Sequence, residues 1–280
     1  MQWQDEAIII SVKPFSEKEA LVEVFSHEHG VYRSIAKQAL SSKQRGIYQP
    51  GNLVFCRWNA RLPEQMGTIA CELLESYADF AMQSADTLQA LNSVCSLLDL
   101  VMHERDAHPR LYERVKSLLQ ALAANSGWQQ DYALFEKDLL SECGFGLDLS
   151  ECASTGERDN LVYVSPKSGR AVSAGAGEPY KDRLFALPAF LIPSPLGGGL
   201  GWGHSGQCLS RPSPPPNLPP AGGGAVKPAE ILDALRITGY FINEWLLAPH
   251  DYEMPPARTQ LIEKLEWQSN PQKKLSSQLH

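Results

Sequence analysis

The chain has 280 residues, 43% of them hydrophobic, and a formal net charge of -7, enough apolar material for one large domain or two to three small ones. Its longest apolar runs, residues 7–11 and 97–102, fall far short of the roughly 20 residues a membrane span needs. The opening Met1-Gln2-Trp3-Gln4-Asp5-Glu6 lacks the basic-then-apolar pattern of a signal peptide, so a soluble cytoplasmic protein is expected. Six cysteines, Cys56, Cys71, Cys95, Cys143, Cys152 and Cys208, contain no C-x-x-C pair, which predicts reduced structural thiols rather than a redox motif or a four-thiolate zinc site.

In chain order, residues 3–12 read as a strand in which Ile8, Ile10 and Val12 alternate against Ala7, Ile9 and Ser11. Residues 21–39 make a hairpin around Gly30, where a tight turn wants positive φ. After a polar segment, residues 41–48, and the Pro50-Gly51 turn, residues 53–62 and 67–74 complete five strands within about 80 residues. That spacing predicts a Greek-key barrel of the OB type, with an SH3-like barrel as the alternative. From Asp86, placed as an N-cap, the period becomes helical through Leu88, Leu91, Val94, Cys95, Leu98 and Val101, which sets a domain boundary near residues 77–84. Further helices are expected over residues 109–124, with Pro109 in the first helical position, and over 128–143, ending at Gly144. Short strands over 161–164 and 170–172 flank the turn Pro166-Lys167-Ser168-Gly169, and helices return over 228–247 and 255–267. The tail from Ser269 is polar and expected to fray.

Residues 193–224 are more than half Gly and Pro, too little apolar surface to offset ordering entropy, and disorder is expected there. Gly-rich first and Pro-rich second halves fit complementary codons, and so an in-frame palindromic insertion. A plain linker or a polyproline ligand for a partner domain is the other reading.

Between His29 and Pro63 stand Arg33, Lys37, Lys43, Arg45, Arg57 and Arg61 with no acidic residue, a stretch of +6 in a chain that is -13 elsewhere. Such segregation predicts a polyanion-binding face. In the strand from Leu53, a period of two sets Phe55, Arg57, Asn59 and Arg61 on one side and Val54, Cys56, Trp58 and Ala60 on the other. Arg33 and Lys37 are in phase on their own strand, and Lys43 and Arg45 lie in a polar loop. Phosphates take point charges or guanidinium forks, and unstacked bases take an aromatic platform such as Phe55. The competing reading is a solvated barrel face paired to acids such as Glu17, Glu19 and Glu23, with Phe55 a core or interdomain contact.

Catalytic motifs are missing: there is no phosphate-binding Gly-rich loop with Lys-Ser/Thr, no G-x-S-x-G and no H-E-x-x-H. His27 and His29 lack a partner at metal spacing, and Asp5 and Glu6, adjacent on a strand, point to opposite faces. A non-enzymatic binding protein without cofactor is expected.

Several strings occur in a specific order: Trp3-x-Asp5-Glu6-Ala7-Ile8-Ile9-Ile10-Ser11, Glu23-Val24-Phe25-Ser26-x-Glu28-His29-Gly30, Gln49-Pro50-Gly51-Asn52, Gly144-Phe145-Gly146-Leu147-Asp148-Leu149-Ser150-x-Cys152, and Tyr163-Val164-Ser165-Pro166-Lys167-Ser168-Gly169-Arg170-Ala171-Val172-Ser173. Through them the sequence resembles the RecO family of bacterial DNA repair proteins, and within it a zinc-less alphaproteobacterial branch, over nearly all the chain except residues 193–224. The resemblance implies an α+β multidomain fold: an N-terminal OB-fold β-barrel (residues 1–80), a helical domain in two parts (81–150 and 227–270), and a small degenerate zinc-ribbon-like excursion (151–186). Residues 187–226 are then a Gly/Pro-rich disordered insertion and 271–280 a flexible tail. It further implies a recombination mediator that binds single- and double-stranded DNA and anneals complementary strands without nucleotide hydrolysis. Its implied partners are RecR, single-strand-binding protein and, in some lineages, RecF, with RecA loaded as the result. Arg236 matches a position where the family tends to carry arginine, a candidate for receiving the acidic tail of single-strand-binding protein or for an intradomain ion pair.

One departure is specific. Zinc-binding members carry two C-x-x-C pairs after the helical segment, whereas here Cys152 is followed at the third position by Thr155 and the next cysteine is Cys208. A metal-free protein is expected. The alternative from another class is a protein-interaction scaffold whose barrel docks a partner.

Overall fold

The computed structural model describes residues 1–62, 65–193 and 226–269. β1 (Gln2–Pro14), β2 (Ala20–Ser26) and β3 (Gly30–Ala36) form an antiparallel meander. β4 (Leu53–Asn59) returns to the free edge of β1, and β5 (Thr68–Glu75) pairs antiparallel with β4 and parallel with β3. The closed order β1-β2-β3-β5-β4 is that of an OB-type Greek-key barrel.

Alternation builds the barrel interior from Ala7, Ile9, Val22, Val24, Val54, Cys56, Trp58 and Ile69. Residues 37–51 add Ala39 and Tyr48 to it, and the Tyr48 hydroxyl accepts the Cys71 backbone N–H at 3.2 Å. A register shift between Ile9 and Ser11 changes the phase of β1. Val12 therefore packs with the barrel core, not with Ile8 and Ile10 as unbroken alternation predicts. Gly30, at φ +70°, has no room for a Cβ, which would run into the Asp106 backbone carbonyl. The hairpin turn is thereby held against the segment around Asp106.

The helical body begins with α1 (Tyr77–Ala81), α2 (Ala85–Val101), α3 (Pro109–Ala124) and α4 (Trp128–Glu142). The expected domain boundary at residues 77–84 is thus a short helix with Tyr77, Ala78 and Ala81 buried. Ser84, not Asp86, caps α2: its extended backbone lets Oγ accept the Asp86 N–H at 3.3 Å. The Asp86 carboxylate instead takes the Gln268 side-chain amide at 2.8 Å and an ion pair with Lys264.

β6 (Leu161–Val164), β7 (Ala171–Ser173), the single-turn α5 (Ala174–Gly177) and β8 (Phe185–Ala186) form the excursion, with sheet order β7-β6-β8. Its turn at Gly169, φ +65°, packs against Trp245 too closely for any side chain. Leu187 and Leu191 are buried, so the packed chain continues past residue 186, where the insertion was expected to begin. The remainder of that segment, residues 194–225, and the tail from residue 270 lie outside the described residues. α6 (Pro228–Phe241), extended by a π turn (Ile242–Leu247), and α7 (Pro256–Ser269) complete the body.

One hydrophobic core joins barrel and body: Ile8, Ile10, Phe25, Val31 and Leu53 belong to the same buried cluster as side chains of α1 to α4, α6 and α7, with β1 packed on α2. At roughly 1.5–3 kcal/mol for each large apolar side chain fully buried, these five residues favour a single rigid unit over a hinge. The body also holds a buried ion pair. Arg258 on α7 donates to Glu136 on α4 through Nε (2.7 Å) and Nη2 (3.0 Å), and to the Leu235 carbonyl of α6 at 2.8 Å. The Thr238 hydroxyl donates to the second Glu136 oxygen at 2.5 Å.

Candidate nucleic-acid interface

β4 leaves the shared core as it advances: Leu53 is buried, Phe55 half-buried, and Arg57 and Asn59 are exposed on the same outer face. β4 ends at Asn59, not at residue 62 as expected; Arg57 keeps the expected outward phase, and Arg61 is exposed in the bend just beyond the strand. Arg57 Nη2 lies 2.7 Å from Glu72 Oε1 on β5, with both side chains more than half exposed (54% and 64%). Such a pair is worth about 0–1 kcal/mol and yields readily to a phosphate. Arg61 has no carboxylate within 4 Å among the described residues.

The surface is not acid-free as the linear stretch is. Across β1, β4 and β5, Phe55 stands between Glu6 and Glu72. Glu6 accepts from Lys116 Nζ at 2.6 Å and the Tyr112 hydroxyl at 2.9 Å, both on α3, so its charge is neutralised at the junction with the body. Asp5 points the other way, accepting the Ser26 hydroxyl and the Glu28 N–H (2.8 Å) to brace the hairpin turn. Both acids of the pair are structural.

Arg33 is set apart. Its Nε donates to Glu23 at 2.7 Å, and Glu104 lies 3.7 Å away. The hydrogen bond to Glu23 holds the guanidinium firmly charged, while burial and the neighbouring Asp99 push the Glu23 carboxyl above its ordinary range. Lys13 joins the cluster, 3.7 Å from Glu23 and 3.4 Å from Asp99 of α2. Lys37 lies in the turn after β3, not on the strand, beside a shallow groove that contains Glu17 and Glu19. Lys43 and Arg45 are exposed on the β3–β4 connection that caps the barrel.

Pattern reading missed the aromatic cluster at the barrel mouth. Trp3 stacks on His29 with ring centroids 4.5 Å apart, and on Trp58 at 5.9 Å. Tyr32 meets Trp3 and Trp58 edge-on. These rings come from three strands and a turn, and only barrel closure assembles them.

Arg236 on α6 is 58% exposed and reaches Asp233 and Glu266, each at 3.4 Å, so it forms an intradomain ion pair on the surface. In the excursion, the Ser173 N–H donates to Cys152 Sγ at 3.2 Å, and Arg170 bridges Asp148 (3.1 Å) and Glu151 (3.4 Å). Hydrogen bonds and an ion pair fasten the ribbon, and no three His, Cys, Asp or Glu side chains converge on a metal position among the described residues. The donor set does not fit a zinc ion. Purified protein washed with chelator should show zinc far below one equivalent by elemental analysis, with an unchanged melting temperature; a stoichiometric amount would contradict this.

A family profile described as "Recombination protein O N terminal" matches residues 1–77, and one described as "Recombination protein O C terminal" matches residues 82–198. The chain belongs to the RecO family. It is 38% identical to the DNA repair protein RecO of Rhodospirillum centenum over 266 residues, covering 94% of each chain. With the RecO of Granulibacter bethesdensis the identity is 36%, covering 95% of this chain and 96% of that one. With the RecO of Mesorhizobium japonicum it is 38%, covering 95% and 94%. The OB-type barrel and helical body are thus those of a family of DNA repair proteins. No helix among the described residues is long and apolar enough to cross a membrane.

Proposed function

We propose that this chain is a DNA-binding, strand-annealing recombination mediator without catalytic activity, working in the cytoplasm and on the nucleoid during repair. It acts with RecR, and with RecF where the pathway uses it, to help load RecA on DNA covered by single-strand-binding protein. Membership of the RecO family carries this reading, and the exposed Arg57 and Arg61 on an OB-type barrel give it a physical basis.

Annealing asks a protein to neutralise two strands that repel each other while leaving base edges free. Arg57 and Arg61 do the first from the outer face and the end of β4, with Lys37, Lys43 and Arg45 extending the positive field and Phe55 offering apolar contact. Arg33 adds only the outward part of its guanidinium, because Nε is committed to Glu23. Arg236 is the proposed contact for the acidic tail of single-strand-binding protein, which would displace two weak surface pairs.

The test is annealing of complementary labelled oligonucleotides by purified protein without nucleotide. Acceleration that fades steeply as salt rises is expected. Absence of acceleration, together with absence of binding to single strands at low salt, would leave the scaffold reading in place.

A further inference from the structure

We infer that the mouth of the barrel holds an unstacked nucleobase at the open end of a column of rings, a site distinct from the basic outer face of β4. The inference rests on the DNA-binding reading above and names the part of the ligand that this second place would take.

Trp58 on β4 is the inner ring, almost wholly buried, and its Nε1 donates to the Met66 carbonyl at 3.2 Å. Trp3 on β1 lies nearly parallel to it, 15° between planes at 5.9 Å. His29, in the turn between β2 and β3, continues the stack at 4.5 Å and 28°. Tyr32 stands edge-on to all three rings and fixes the column laterally. Trp3, His29 and Tyr32 are each partly exposed, so the column runs from the barrel core to solvent.

Two observations separate this arrangement from a hydrophobic plug. The outermost ring is an imidazole with no carboxylate within 4 Å among the described residues, a polar aromatic face rather than an aliphatic seal. Trp3 Nε1 is buried with no hydrogen-bond partner, a donor that a closed structural core would satisfy. One cation stands at the rings: the Arg105 guanidinium sits 5.5 Å from the Tyr32 ring centroid and reaches the Gln65 carbonyl at 3.5 Å. Rings that stack a base beside a cation that holds its phosphate are the two elements of a single-strand site, and stacking accepts any base because each has a π face.

The test compares binding of a labelled oligo(dT) with an abasic oligonucleotide of equal length, for the parent, His29→Ala, His29→Phe and the double variant Arg57→Ala/Arg61→Ala. The parent should prefer oligo(dT) by about five- to tenfold. His29→Ala should lose most of that preference while binding the abasic strand as the parent does. His29→Phe, which keeps a ring, should retain the preference. The double arginine variant should weaken both strands alike and leave the preference intact. A parent that does not distinguish the two strands, or a His29→Ala protein with the full preference, overturns the base site while leaving the DNA reading standing. A parent that binds neither strand overturns both.

Discussion

Replacing Arg258 with Met should cost about 3–5 kcal/mol of unfolding free energy, because it strands a buried charge. The Glu136 side chain is fully buried, and Arg258 supplies two of its hydrogen bonds as well as one to the Leu235 carbonyl. Without the guanidinium, only the Thr238 hydroxyl remains to Glu136 among these partners. Apolar replacement of both partners, Glu136→Met with Arg258→Met, should recover most of the loss, since a well-packed apolar pair does not carry the desolvation cost of two ions. Thr238 then still donates to the Ala234 carbonyl at 3.1 Å. Urea unfolding followed by far-UV circular dichroism reads the effect. A single variant within about 1 kcal/mol of the parent would show that the pair is not what joins α4, α6 and α7.

The second large effect is on DNA. The double variant Arg57→Ala/Arg61→Ala should lower the slope of log affinity against log salt by about 1.4 for single strands, near 0.7 for each phosphate that is no longer neutralised. The affinity loss should be greatest at low salt. Fold stability should change by less than about 0.5 kcal/mol, because both residues are exposed and the Glu72 pair is a surface pair. Arg33→Ala should behave in the opposite sense, with a largely unchanged salt slope and a lower melting temperature, since it removes the partner of the buried Glu23. Fluorescence anisotropy across a salt series, with melts on the same preparations, separates the two. A double variant with the parent's slope would remove Arg57 and Arg61 from the interface.

These contrasts show how far a linear pattern carries. The period of two in β4 correctly placed Arg57 outward and Val54, Cys56 and Trp58 inward, because side-chain direction along an unbroken strand is a local property; Arg61 is exposed too, but beyond the strand, which ends at Asn59. The same reasoning failed at Val12, where the register shift before Ser11 changes the phase. It also failed for Lys37, which lies past the last residue of β3. Charge segregation suffered most. Six cations without an acid over residues 29–63 suggested one face, yet Arg33 is tied to Glu23, Arg57 to Glu72, and Phe55 is flanked by Glu6 and Glu72. Acids distant in sequence enter the stretch wherever strands pair.

By itself, the sequence determined the strand and helix order, the outward phase of Arg57, and the loss of the second thiolate at Thr155. Each is fixed by local periodicity or by residue identity. Closure of the barrel decided the rest. It stacked Trp3, Trp58 and His29 into one column, strand pairing set Arg33 against Glu23 and Asp5 against the β2–β3 turn, and docking on the helical body turned Glu6 into a structural group. The physical reason is that pairing between strands and burial against helices set which charges stay hydrated, and neither can be read from residues taken one strand at a time.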